Sequence, residues 1–333
     1  MAWSKVLSFA EPFSYQTAIR GAELEVIPTA RGEFRSELTQ ICLDQVWMQR
    51  ARENLPRIYT GTTTRDRRVI GFLTDKNHPP IKHCGKEVVA GDIIVNDGAG
   101  MHRQTKSYCN WGSMSLALDD FNVACKAIVG SELPPVLSTY VVRPSPVLMS
   151  RLLSAHERIG LLARTHPDVL ASPEVSRHLD QELTHLMVMC VTEGAPSKMT
   201  AGVRRRDRIV ARLEEFLEAN PGRAIYLTEI CAALGVAERT LRSACEAQIG
   251  MGPTRYLTLR RMHNVRRALL RSDPSETSVT QIATDQGFWE LGHFSVSYRA
   301  MFGETPSESL KRCENQQPKN RKLPDRVLSL AGS

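Results

Sequence analysis

The sequence predicts an α+β chain of two domains, β-rich in its N-terminal half and all-α in its C-terminal half. Three observations predict this. Residues 30–120 hold many short apolar runs separated by Gly, Pro, Asn and Asp, the punctuation of a small antiparallel barrel or sandwich. Residues 227–253 and 279–306 repeat one helical pattern, and internal repeats define architecture before anything else does. The charge is uneven: residues 204–333 carry 21 Lys+Arg against 15 Asp+Glu, whereas residues 1–203 carry 22 against 21. Surplus basic charge on one domain is the electrostatic footprint of a nucleic-acid binder.

From the N-terminus, residues 1–30 are mixed and read as a short helix followed by a strand. Leu38, Ile41, Leu43, Val46 and Met48 are strand positions, and 69–75, 81–89, 91–97 and 111–118 are further short strands. Residues 119–150 open on a polar turn at Asp119 and Asp120 and close in a linker punctuated by Pro134, Pro135, Pro144 and Pro146. Two amphipathic helices follow within 147–190. One aligns Leu148, Leu152, Ile159 and Leu162, and the other Val175, Leu179, Leu183, Leu186, Val188 and Met189. Residues 1–190 are thus one domain. The small, polar, then basic stretch 191–208 reads as a linker. The second domain runs over 209–313, beginning with an amphipathic helix at 209–217, and 314–333 reads as a disordered tail.

Within the second domain, Leu227, Ile230 and Gly235 match Val279, Ile282 and Gly287 at a constant offset of 52. Leu241, Cys245, Ile249, Gly250 and Pro253 match Phe294, Tyr298, Phe302, Gly303 and Pro306 at 53, so the second copy has one extra residue in its turn. Each copy reads as a helix, a Gly turn, and a second helix with apolar residues on one face. A Gly stop and a Pro start then follow. That is a helix-turn-helix, whose second helix enters the DNA major groove. The copies occupy 227–249 and 279–302. Between them, 253–272 carries a stripe (Tyr256, Leu259, Met262, Val265 or Arg266, and Leu269), six arginines (255, 260, 261, 266, 267, 271) and no acid. Such a helix is roughly 30 Å long, close to the roughly 34 Å of one DNA turn.

The motifs IATDQGF and HFSVSYRAMFGETP resemble the DNA-binding domain of the AraC/XylS family of bacterial transcription regulators, over 206–313. Within the family, GMGPTRYLTLRRMHNVRRALL and GFWELGHFSVSYRAMFGETPSESL look most like the ethanolamine-operon regulator type. The resemblance implies a cupin-like β-barrel sensor domain in the N-terminal half. GKEVVAGDIIVNDGAGMHRQT followed by WGSMSL resembles the end of such a barrel. It also implies that the helical pair at 147–190 is a dimerisation segment. Packing of that pair onto its own domain is the other open reading. The implied partners are double-stranded DNA, RNA polymerase, a second copy of the chain and a small-molecule effector.

In the first recognition helix, Leu241, Cys245 and Ile249 face inward, leaving Glu238, Arg239, Thr240, Arg242, Ser243 and Glu246 for DNA. Arg239 and Arg242 suit bidentate contact with guanine, and Glu238 accepts from cytosine or orients Arg242 one turn on. The second helix offers Trp289, Glu290, Leu291, His293, Ser295, Val296 and Arg299. The family often has arginine where this chain has Val296, so phosphate anchoring and thymine-methyl contact are expected there. Arg255 on the connecting helix joins the DNA-facing set. For an effector, Trp47, Phe72 and Trp111 are the candidates to line an apolar pocket, although plain core aromatics would leave the same trace.

His78, His83 and His102 are scattered without metal spacing, and no nucleophile or paired-carboxylate signature is present. No catalytic residue, metal or cofactor is expected, so an enzyme fused to a DNA-binding domain is the poorest reading. The leading one is an effector-responsive regulator, expected to activate. Its rival keeps the DNA-binding domain but makes the N-terminal half a dimerisation or protein-interaction module without a ligand. The eight cysteines show no paired spacing and read as free thiols of a cytoplasmic protein. No run of about 18 apolar residues is present to span a membrane.

Overall fold

The computed structural model describes residues 2–96, 98, 100–106, 108–131, 139–194, 201–220 and 222–316. The chain opens with β1 (Trp3–Phe9), α1 (Pro12–Ala18) and β2 (Ala22–Pro28), so the helix and strand read in 1–30 are preceded by a strand that the sequence did not announce. β3 (Ser36–Cys42), β4 (Trp47–Glu53), β5 (Arg57–Thr63), β6 (Arg67–Leu73), β7 (Ile81–His83), β8 (Lys86–Val88), β9 (Ile93–Asn96), β10 (Gly100–Thr105) and β11 (Cys109–Ala117) follow. The 81–89 strand is thus a tight hairpin, turning at Cys84 and Gly85, both at positive φ (45° and 71°). Next come α2 (Leu118–Val129), β12 (Tyr140–Val142), α3 (Pro146–Thr165), α4 (Pro167–Ala171) and α5 (Pro173–Glu193). The expected polar turn at Asp119 and Asp120 is the first turn of α2, where the helix dipole favours acids. Pro134 and Pro135 lie outside the described residues.

The strands form a seven-stranded sheet, β1-β3-β4-β11-β6-β9-β12, and a five-stranded sheet, β2-β5-β10-β7-β8. Among the described residues neither order returns on itself, so the pairing draws two open sheets and not a closed barrel. Alternation along each strand sets up three apolar interfaces. Leu38, Ala51, Tyr59, Leu73, Met101 and Trp111 meet between the sheets. On the outer face of the large sheet, Met48, Ile70, Phe72, Val95 and Met114 pack on α2, α3 and α5. The helical stripes are consumed here: Leu152, Ile159, Leu183 and Leu186 are buried against their own sheet. Packing within the domain therefore accounts for the periodicity that was also open to a dimerisation reading.

On the outer face of the small sheet, Ile27 and Ile58 join one cluster with Ile209, Val210, Leu213, Cys245, Ile249 and Tyr256 of the C-terminal domain. That domain consists of α6 (Ala201–Glu218), α7 (Leu227–Leu234), α8 (Glu238–Gln248), α9 (Pro253–Leu269), α10 (Val279–Asp285), α11 (Leu291–Phe302) and α12 (Pro306–Gln316). α6 starts inside the stretch read as linker, so the basic run at 204–208 is helical. α12 continues through 314–316, read as tail, while 195–200 and 317–333 lie outside the described residues. The order of layers is helices, large sheet, small sheet, then the helical C-terminal domain.

Candidate nucleic-acid interface

The duplication read from sequence is reproduced helix for helix: α7, α8 and α9 correspond to α10, α11 and α12. Each turn begins on a glycine in the left-handed region, Gly235 at φ 63° and Gly287 at φ 77°, where a side chain is strained. The helix starts are fixed by local caps. Glu229 Oε2 accepts from the Tyr226 backbone N at 3.0 Å, and Ser278 Oγ accepts from the Gln281 N at 3.2 Å, each satisfying a helix-start donor or its neighbour. Behind the turns, Ile230, Leu234, Leu241 and Cys245 are buried in the first unit, and Ile282, Ala283, Phe294 and Tyr298 in the second. Burial pushes the Cys245 thiol up to about 12, so it is an inert packing group. Among the described residues seven cysteines are unbridged.

This packing leaves one face of each second helix in solvent. On α8, Glu238, Arg239, Arg242, Ser243 and Glu246 are exposed, while Thr240 is half-buried. Arg242 donates to Glu238 at 2.7 Å, one turn away. On α11 and the residue pair before it, Trp289, Glu290, His293, Ser295, Val296 and Arg299 are exposed. Leu291 differs from expectation: it is half-buried against the Met262–Val265–Phe294 cluster, so it supports the helix. Trp289 leans on the first unit, its Nε1 donating to Tyr226 Oη at 3.4 Å. Tyr226 and Ser297 were not singled out from sequence. Ser297 lies with Arg242, Glu246 and Arg255 along the groove between α8 and α11, and Arg255 is exposed there.

The other arginines of 253–272 do not face that groove. Arg260 is held by Glu25 at 2.8 Å and Glu214 at 3.2 Å. Arg266 is held by Glu11 at 2.8 Å and Glu304 at 2.7 Å, and Arg267 by Glu25 at 3.1 Å. Arg271 lies 3.7 Å over the Phe13 ring, and Arg261 lies 5.5 Å over Phe288. Glu11, Phe13 and Glu25 belong to the N-terminal domain, so α9 is the seam between the domains. Arg260, Arg266, Glu25 and Glu304 are each at most 16% exposed at the side chain, which shields these pairs from salt more than surface pairs. Burial pushes the Glu214 carboxyl up to about 7, against the lowering effect of Arg260. His263 completes the seam, its Nε2 3.0 Å from the Pro28 carbonyl. A charge count sees no partners, and so it overstated the basic surface of this helix.

The three effector candidates part company. Trp111 is buried between the sheets, donating from Nε1 to Glu53 Oε1 at 3.2 Å. Glu53 also accepts from the Tyr15 and Tyr59 hydroxyls and pairs with Arg57. Phe72 faces the helices, 5.0 Å from the His156 ring. Trp47 sits at the sheet rim between the guanidinium groups of Arg67, at 3.9 Å, and Arg20, at 5.0 Å. Of the three, Trp111 is in the lining of the small cavity between the sheets. His78 bonds the Pro79 and Tyr108 carbonyls, and among the described residues no three His, Cys, Asp or Glu side chains cluster as metal ligands.

Two exposed second helices, carried in duplicate on one domain, define a helix-turn-helix DNA-binding unit, and a family described as "Helix-turn-helix domain" matches residues 230–312. Over these residues the unit is similar to transcription regulators of the AraC/XylS type. The XylDLEGF operon transcriptional activator of Pseudomonas putida is 36% identical over 107 residues, covering 32% of this chain and 33% of that protein. The transcriptional activator NphR of a Rhodococcus species is 28% identical over 233 residues, covering 64% of this chain and 67% of that protein. The crystal structure of the AraC-like transcriptional activator CuxR superposes with a TM-score of 0.41 at 13% identity, over 78% of this chain and 94% of that one. The chain thus spans about a third of the length of the first relatives it matches. No described helix is long and apolar enough to cross a membrane.

Proposed function

We propose that the chain is a sequence-specific, DNA-binding transcriptional activator acting in the cytoplasm. It reads DNA with α8 and α11 and responds to a small molecule held by a cupin-like N-terminal domain. The observation that carries the reading is the duplicated unit: two outward faces bearing Arg239, Arg242, His293, Ser295 and Arg299, on helices whose inner faces are buried. The DNA contacts run through Glu238, Arg239, Arg242, Ser243, Glu246 and Arg255 in the first groove segment. Trp289, Glu290, His293, Ser295, Val296 and Arg299 serve the second. RNA polymerase and a second copy of the chain are the expected partners. The docking of the C-terminal domain on the small sheet supports the sensing half of the reading, because a ligand between the sheets then lies one strand from the DNA-binding unit. The test is a titration of the full chain and of a 201–316 fragment on DNA from near its own gene, with and without small metabolites. Both proteins should bind, and only the full chain should change affinity with a metabolite. A fragment that responds as the full chain does removes sensing from the N-terminal half.

A second reading, in which the N-terminal half dimerises and binds no ligand, is favoured by Val147 and Leu161 on α3, which are 70% and 59% exposed. Sedimentation of the full chain with Leu161→Glu decides it: a dimer lost on substitution, with no metabolite response, favours this reading over the first.

A further inference from the structure

We propose that the cavity between the two sheets is an anion site, taking the carboxylate head of a small organic acid on Arg103, Thr63 and Asn96. The assignment rests on the sensing reading above and gives it a chemical class. The cavity is lined by Tyr59, Thr63, Gly71, Asn96, Arg103 and Trp111 among others. Arg103 enters from β10 and reaches across to the large sheet: a methyl group built on Gly71 would stand 3.6 Å from its Nη2. Its guanidinium lies 5.8 Å from the Tyr59 ring, and its Nε is buried with no hydrogen-bond partner.

No carboxylate pairs with Arg103 among the described residues, whereas its neighbour Arg57 is neutralised by Glu53. Two more buried polar atoms of the lining are unpartnered, Thr63 Oγ1 from the small sheet and Asn96 Oδ1 from the large one, on residues only 7% and 5% exposed. Buried polar groups are normally satisfied, and Arg103, half-buried as a residue, holds a buried Nε that is not. Three orphaned atoms on residues that line one cavity set the polar groups a ligand there would meet. The planar guanidinium donates in the fork geometry that matches a carboxylate. The Thr63 hydroxyl donates beside it, and Asn96 Oδ1 accepts from the accompanying water or hydroxyl.

Size narrows the class. The cavity is about 40 Å³, and one water needs about 10–15 Å³ on that measure, so a head group of a few atoms fills it. The organic body then lies toward the rim formed by Arg20, Gly21, Ala22 and Leu24. Tyr59 and Trp111 supply the apolar wall.

The test uses the full chain with Trp3, Trp47 and Trp289 changed to Phe, leaving Trp111 as the reporter among the four tryptophans. Acetate and butyrate are titrated at constant ionic strength against acetamide and butyramide, with sodium chloride as the salt control. The acids should give a saturable change in Trp111 emission and the amides none. Arg103→Gln should weaken the response at least about tenfold, with part of it kept by Arg103→Lys. If Arg103→Gln does not fold, Thr63→Val carries the same expectation of weaker binding. Amides or chloride that match the acids, an absent response, or an Arg103→Gln response equal to that of the parent overturns the anion site. A parallel arm measures the DNA affinity of the unsubstituted chain, which keeps Trp289. Carboxylates that move Trp111 without changing DNA affinity keep the anion site and remove the sensing reading. An uncharged compound that changes DNA affinity, with Trp111 silent to carboxylates, does the reverse.

Discussion

Glu238 and Arg242 stand one turn apart on an exposed helix face and hold each other at 2.7 Å. An exposed pair of this kind is worth little for stability, but it fixes where a guanidinium points. Arg239, beside it, has no acid partner among the described residues. Arg239→Ala and Arg242→Ala should each cost about 1–3 kcal/mol on cognate DNA and much less on random DNA, as measured by competition titration. Glu238→Ala should erode the discrimination and leave random-sequence affinity unchanged, whereas Val296→Ala should barely alter base preference. Glu214 makes a different prediction. Its carboxyl holds its proton up to about 7 against an ordinary 4.5. The folded state therefore binds more protons than the unfolded state between those values, and stability falls as pH rises through them. Glu214→Gln should flatten that decline, read as urea unfolding midpoints at about pH 5 and about pH 8.

At the scale of the element, α9 shows what a sequence conceals. Its start after Pro253 and its apolar stripe were legible, because caps and periodicity are local, and the whole helix-turn-helix repeat was legible for the same reason. The destination of its arginines was not, since Glu11 and Glu25 lie more than two hundred residues away and nothing local announces the pairing. β5 and β10 were missed likewise: their inward set mixes Tyr59, Gly61 and Thr63 with Met101, Arg103 and Thr105, so the apolar alternation that marks a half-buried strand is absent. The docked arrangement changes the expected salt dependence of DNA binding. Each phosphate contact contributes a slope of about one in log affinity against log salt. Arg255→Ala should lower the slope by about one, whereas Arg267→Ala should leave it unchanged. A slope that falls equally for both would place α9's inner arginines on the DNA.

Across the whole molecule, two buried histidines sit where the domains meet. His102 is on the outer face of β10 with Gly100, which lies beside Ala211 of α6, and His263 bonds the Pro28 carbonyl. Burial lowers each to about 4 from an ordinary 6.5. Both are neutral in the docked form, whereas the separated form takes up protons first. The docked form is thus fully favoured above about 6.5 and weakens as pH falls toward 4. Small-angle scattering should show the chain extending over that interval, and His102→Gln with His263→Gln should blunt the change. One strand ties these scales together. β2 turns Ala22 and Leu24 toward the cavity between the sheets, and it turns Glu25 and Ile27 toward the C-terminal domain. A single-residue deletion within it would swap the two sets, sending a carboxylate into the sandwich and a leucine to the arginines of α9. A one-residue change of length in this segment therefore disturbs both interfaces at once, whereas a substitution disturbs the one its side chain faces.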